Sequence, residues 1–90
     1  MREVRTSSLF RKHYKKLKKS GRRDMQKLKD LMTILIDEKK YKDHKLEGKW
    51  KGYRECHVEG DWLLIYKIEK LNNKKCITFV ASDNHSNLFN

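Results

Sequence analysis

The chain has 90 residues, 37% hydrophobic and 39% charged, with a formal net charge of +11. That length allows a single domain, spanning 1–90, with a modest core, and no apolar run approaches the roughly 18–20 residues a membrane helix needs. MREVRTSSLF lacks the long apolar stretch of a secretory signal, so the expected location is cytoplasmic, with no membrane partner.

Residues 2–6 read as a short first strand. Ser7 or Ser8 is a suitable N-cap, and Phe10, Tyr14 and Leu17 then recur on one helical face. Lysines 12, 15, 16, 18 and 19 fill the rest of that helix, which Ser20-Gly21 should end. A second helix is expected from Arg22 to Glu38, with Met25, Leu28, Leu31, Met32, Leu35 and Ile36 as its apolar stripe. From Tyr41 to Gly52 no period survives, so this reads as a loop anchored by Leu46 and Trp50.

The remainder reads as sheet. Tyr53–Glu59 forms a strand, Gly60-Asp61 a tight turn, Trp62–Glu69 the most apolar strand, and Asn72-Asn73 the next turn. Lys75–Ala81 is the last strand, followed by the polar tail SDNHSNLFN, whose Leu88-Phe89 can dock back on the sheet. The fold class is therefore α+β: a short N-terminal strand, a helical hairpin, and an antiparallel meander of three strands. The helices should cover one face and leave the other partly open. Cys56 and Cys76 fall inside strand-like runs without C-x-x-C spacing, which suits buried free thiols.

Charge is unevenly placed. Ten basic residues and one acid lie between Arg11 and Lys29, which suits a polyanionic partner such as RNA, DNA or an acidic protein. Three histidines and one aspartate then stand out in the order His44, His57, Asp61, His85. Taken singly, His44 reads as a loop residue, Asp61 as turn chemistry, and His85 as a tail residue. His57 and Asp61 flank one hairpin, however, so they can share a site. Histidine exchanges protons near neutral pH. RNA carries its own nucleophile, the 2′-OH, so its cleavage needs only a base, an acid and positive charge on the phosphate. The same four residues could hold zinc, but their spacings match no metal motif.

The stretch KDHKLEGKWKGYRECHVEGDWLLIYKI, the helix DMQKLKDLMTILI and the closing HSNLF resemble the YafQ branch of the RelE-type bacterial toxins. The resemblance covers most of the chain and thins over the first ten residues and between Lys67 and Ala81. It implies a microbial-RNase-like α+β fold and an mRNA interferase of a type II toxin–antitoxin system. Such an enzyme works at the ribosome without cofactor or metal, using 2′-OH attack to leave a 2′,3′-cyclic phosphate. The motif match carries functional roles onto His44, His57, Asp61 and His85; His85 is expected to transfer a proton, with the general acid the favoured role, and Asp61 with His57 or His44 to serve the 2′-OH side. It carries substrate contact onto Phe89, with Trp62 shaping the same edge and Arg54 helping with charge. Expected partners are mRNA, ribosomal RNA and an acidic antitoxin, with operator DNA reached only through the antitoxin. The chain departs from the family pattern in lacking prolines beside His44 and at the hairpin, where Lys45 and Gly60 stand. His13 matches no motif position and is assigned to the basic helix. The competing reading is a non-catalytic module that binds RNA, the ribosome or an antitoxin.

Overall fold

The structure is a computed structural model that describes residues 1–89. Its elements are β1 (Glu3–Thr6), α1 (Ser8–Ser20), α2 (Met25–Ile36), β2 (His44–Lys45), β3 (Arg54–Glu59), β4 (Trp62–Leu71), β5 (Lys74–Asn84) and α3 (His85–Leu88). The strands form one five-stranded sheet in the order β1-β5-β4-β3-β2. No helix among the described residues is long and apolar enough to cross a membrane.

Local chemistry fixes both long helices. Ser7 caps α1 by accepting a hydrogen bond from the Phe10 amide at 2.9 Å. Gly21 ends the helix at φ 67, the left-handed conformation that glycine adopts without strain. Helix α2 is shorter than the expected Arg22–Glu38 at both ends. Asp24 is its N-cap, accepting from the Gln26 amide at 3.0 Å. At the other end Glu38 turns to φ 61, where its carboxylate meets Lys75 at 2.9 Å and the N-terminal ammonium at 3.1 Å.

Strand β4 lies in the middle of the sheet, and Trp62, Leu63, Leu64, Ile65 and Tyr66 are all fully buried. Their run is continuous rather than alternating because both faces of this strand are covered. Trp62, Leu64 and Tyr66 join Cys56, Ile77 and Phe79 beneath Phe10, Leu28, Leu31 and Leu35 of the two helices. Leu63 and Ile65 turn the other way and pack with Ala81 and Leu88, flanked by Leu46, Trp50, Tyr53, Val80 and Phe89. The second face is thus less open than the sequence suggests. The 46–53 segment and α3 close over it, and the Trp50 indole donates to the Leu88 carbonyl at 3.4 Å.

Three features go beyond the sequence reading. First, β1 pairs with β5 in parallel, Glu3 opposite Cys76 and Thr6 opposite Phe79. Second, the expected loop 41–52 contributes a fifth strand, β2, with His44 opposite Glu55 and Lys45 opposite Arg54. Third, β5 runs on to Asn84 rather than stopping at Ala81. Its polar end stays in the sheet because the fully buried Ser82 is satisfied. Its hydroxyl donates to the Leu63 carbonyl at 3.0 Å and accepts from the Trp62 indole at 2.9 Å. Cys56 and Cys76 are free and buried, as expected, and burial pushes the Cys56 thiol up to about 12.

Leu88 is the residue that pins α3 to the sheet. Truncating it with Leu88→Ala should cost about 2 kcal/mol or more in a urea unfolding curve. Amide exchange in residues 85–89 should rise more than in β4.

Candidate active site

Two turns meet at one edge of the sheet. The β3–β4 hairpin closes through Gly60, at φ 55, and Asp61, while β5 ends at Asn84, directly opposite Trp62. The His85 amide donates to the Asp61 carbonyl at 2.9 Å, tying the start of α3 to the hairpin. Asn84 caps α3 by accepting from the Asn87 amide at 2.8 Å, which sets where His85 leaves the strand. Asp61 and His85, far apart in sequence, are therefore immediate neighbours.

His57 stands opposite Leu63, and Leu63 opposite Asp83. All three side chains leave the sheet on the face away from α1 and α2. With about 4.8 Å per strand step, His57 lies about 10 Å across from Asp83, two residues before His85. Its Nδ1 is 2.8 Å from the Gly60 carbonyl. A carbonyl only accepts, so Nδ1 carries the proton, and Nε2 is the nitrogen left for chemistry. His44 lies diagonally from His57 on the same face, a spacing of about 7–8 Å. With Tyr41 and Lys42 the two imidazoles line a cleft of about 280 Å³, and the Tyr41 hydroxyl donates to the His57 carbonyl at 3.4 Å.

The His85 ring rests against Phe89, centroids 4.8 Å apart and planes tilted by 40°. Phe89 is half-buried on the second hydrophobic cluster, so it can hold the imidazole while keeping an exposed edge. Asp61 is exposed and pairs with Arg23 at 3.3 Å. The Arg23 guanidinium also lies over the Trp62 ring, 5.3 Å from its centroid. Nothing in the periodicity singled Arg23 out from the other cations between the two helices.

Two expected substrate contacts are placed otherwise. Trp62 is fully buried, with its indole N–H on Ser82, so it supports the edge from beneath and offers no surface to a ligand. Arg54 projects to the helix face and binds Asp43 through two hydrogen bonds of 2.6 and 2.8 Å. Tyr66 donates to the same carboxylate. The Arg54 hydrogen bonds hold the Asp43 carboxyl below its ordinary value, and Arg54 is spent anchoring the segment that leads into β2.

His13 is also more than a member of a basic helix. Its half-buried ring accepts a hydrogen bond from the Ser82 amide at 3.1 Å, and burial lowers its pKa against the opposing pull of Asp83. Both favour the neutral imidazole in the folded state.

A five-stranded sheet with two capped helices on one face is the architecture of RelE-like toxin structures. The chain belongs to the YafQ family, bacterial toxins of type II toxin–antitoxin systems, whose model matches residues 2–90. It is 43% identical to the mRNA interferase toxin YafQ of Escherichia coli K12 over 98% of this chain and 96% of that one. The toxin in the E. coli DinJ–YafQ toxin–antitoxin complex superposes with a TM-score of 0.80 at 44% identity, covering 99% of this chain and 98% of that one. A metal-bound toxin from Helicobacter pylori superposes with a TM-score of 0.85 at 39% identity, covering 99% and 100%. In this chain no group of three His, Cys, Asp or Glu side chains gathers in metal-binding geometry among the described residues.

The lowered His13 pKa sets a pH dependence. The unfolded chain binds its proton near the ordinary value of about 6.5, and the folded chain only at lower pH. Stability should therefore fall as pH drops through about 6.5 and level off below the folded value. Urea midpoints between pH 7.5 and 5 should decline less steeply in His13→Gln than in the wild type.

Proposed function

We propose that this chain is a ribosome-associated mRNA endoribonuclease, held inactive by an acidic antitoxin and acting in the cytoplasm. The observation that carries the reading is the His85–Asp61 backbone bond. It brings His85 beside Asp61, while the Gly60 carbonyl of the same hairpin orients His57 and His44 lies diagonal to His57 on the neighbouring strand. Membership of the YafQ family, with an mRNA interferase and an antitoxin-bound toxin among its relatives, supports the same reading.

In the reaction, His57 through Nε2, with His44 and Asp61 beside it, takes the proton from the 2′-OH of the RNA. The 2′-oxygen forms a bond to the adjacent phosphorus while the bond from phosphorus to the 5′-oxygen breaks. His85, as imidazolium, donates its proton to that departing oxygen. The products are a 2′,3′-cyclic phosphate and a 5′-OH. Phe89 orients the His85 ring and offers an edge for a base. Every proton is accounted for by side chains, so no metal is assigned a step. The cations of α1 and of the turn into α2 form the surface for ribosomal RNA or for the acidic antitoxin. Operator DNA is reached through the antitoxin.

His85→Ala should relieve growth inhibition on controlled expression in bacteria. It should also lower the yield of new 5′ ends on a translated mRNA by about a hundredfold or more. Wild-type ends should persist when a chelator removes transition metals and magnesium is replenished for the ribosome. Equal toxicity of wild type and variant would remove His85 from the mechanism, and no new 5′ ends with the wild type would point to a non-catalytic binding module.

A further inference from the structure

Glu55 occupies the centre of the face that carries the histidines. It stands opposite His44 on β2 and opposite Ile65 on β4, with His57 two residues on along β3 and Tyr53 two residues before it, just ahead of that strand. Its Oε2 is shielded from solvent, and no donor among the described residues reaches it. A buried acceptor without a partner is costly, and more so when charged. The fold does pair other carboxylates, since Asp43 takes two bonds from Arg54 and Glu38 meets both Lys75 and the N-terminus. An unpaired oxygen at this position calls for an explanation in function.

The two imidazoles beside it differ. His57 already has its orienting partner in the Gly60 carbonyl. The His44 ring has no hydrogen-bond partner among the described residues, and it lies directly across from Glu55. Directly opposed residues on antiparallel strands have Cβ atoms about 5 Å apart, which a glutamate and a histidine side chain span by rotation alone. We propose that Glu55 is the positioning residue for His44: its carboxylate accepts a hydrogen bond from one His44 ring nitrogen and fixes the tautomer and plane of the imidazole. The other ring nitrogen then faces the cleft shared with His57. This assignment rests on the nuclease reading for its purpose, but the pair itself is testable without RNA.

The other ionisable groups around the pair are His57, Lys42 and Tyr41 in the shared cleft, Asp43 next to His44 in the chain, and Lys67 and Glu69, with Asp83 and His85 farther along. Lys67 is held 5.6 Å from the Tyr53 ring centroid and pairs with Glu69 at 3.6 Å, so Glu55 is the carboxylate directly opposite His44. The experiment is long-range 1H–15N NMR of the His44 imidazole, which reads its tautomer, in the full chain, for wild type, Glu55→Gln and Glu55→Asp, beside single-turnover cleavage of ribosome-bound mRNA. Wild type should hold one His44 tautomer, Glu55→Gln should populate both, and Glu55→Asp should restore most of the preference. Cleavage by Glu55→Gln should fall about tenfold in the rate of the bound complex with apparent affinity within about twofold, and Glu55→Asp should recover most of that rate. If Glu55→Gln does not fold, Glu55→Asp alone should weaken the tautomer preference by a smaller amount. The same tautomer ratio in every folded variant overturns the pairing. A tautomer preference that depends on Glu55 in a protein that cuts no RNA keeps the pairing and removes the nuclease reading instead.

Discussion

Burial of β4 on both faces is the constraint from which the rest follows. Five consecutive side chains, Trp62 to Tyr66, are fully removed from solvent. At about 1.5–3 kcal/mol for each large apolar side chain, they contribute on the order of 10 kcal/mol, comparable with the net stability of a small domain. The helical hairpin covers only one side. The other side must be closed by whatever chain remains, namely the 46–53 segment and α3. Those same two pieces bring in His44, just ahead of Leu46, and His85, at the head of α3. The pieces that complete the core therefore also carry candidate site residues.

Ser82 shows how tightly the two are joined. It is a polar residue inside the core, and three partners satisfy it: the Trp62 indole, the Leu63 carbonyl, and His13 on α1. Those bonds let β5 continue to Asn84, and only a strand of that length delivers His85 to Asp61. The imidazoles themselves stay at the solvent edge, where RNA could reach them. Their supports are buried or fixed: the Gly60 carbonyl under His57, Phe89 beside His85, Trp62 beneath Asp61. Rigid support with exposed reactive groups suits proton transfer to a large substrate.

Much of the architecture was legible because it obeys simple periods. Phe10, Tyr14 and Leu17 mark α1, the Met25-to-Ile36 stripe marks α2, and Asn72-Asn73, at φ 51 and 64, marks a hairpin. What was not legible depended on long-range pairing. The parallel docking of β1 on β5 leaves no local signature, and β2 is two residues long. The extension of β5 through Ser82 and Asp83 is sustained by partners distant in sequence. Within the site, His44, His57, Asp61, His85 and Phe89 were chosen on residue type and motif; the fold puts His85 beside Asp61 and Phe89 and His44 diagonal to His57, while the Asp61 carboxylate turns to Arg23 over Trp62 on the helix side. Trp62 was chosen for standing next to Asp61 and Arg54 for its charge, and alternation along the strands turned both away from the face of His57. Arg23 and Glu55 were not picked out, because one is a cation among many and the other is an ordinary strand glutamate until its empty oxygen is seen.

The chemistry stands or falls on the ribose. If His57, Asp61, His44 and His85 do no more than move protons around an attack by the RNA's own 2′-OH, a single atom of the substrate decides the outcome. The direct measurement is cleavage of a ribosome-bound mRNA mapped to one phosphodiester, repeated with a 2′-deoxy nucleotide on the 5′ side of that bond alone. Cleavage there should disappear while the unmodified message yields a 2′,3′-cyclic phosphate and a 5′-OH. Persistent cutting at the deoxy position would mean that water or another group is the nucleophile, and would contradict the assignment of this histidine cluster to 2′-OH chemistry.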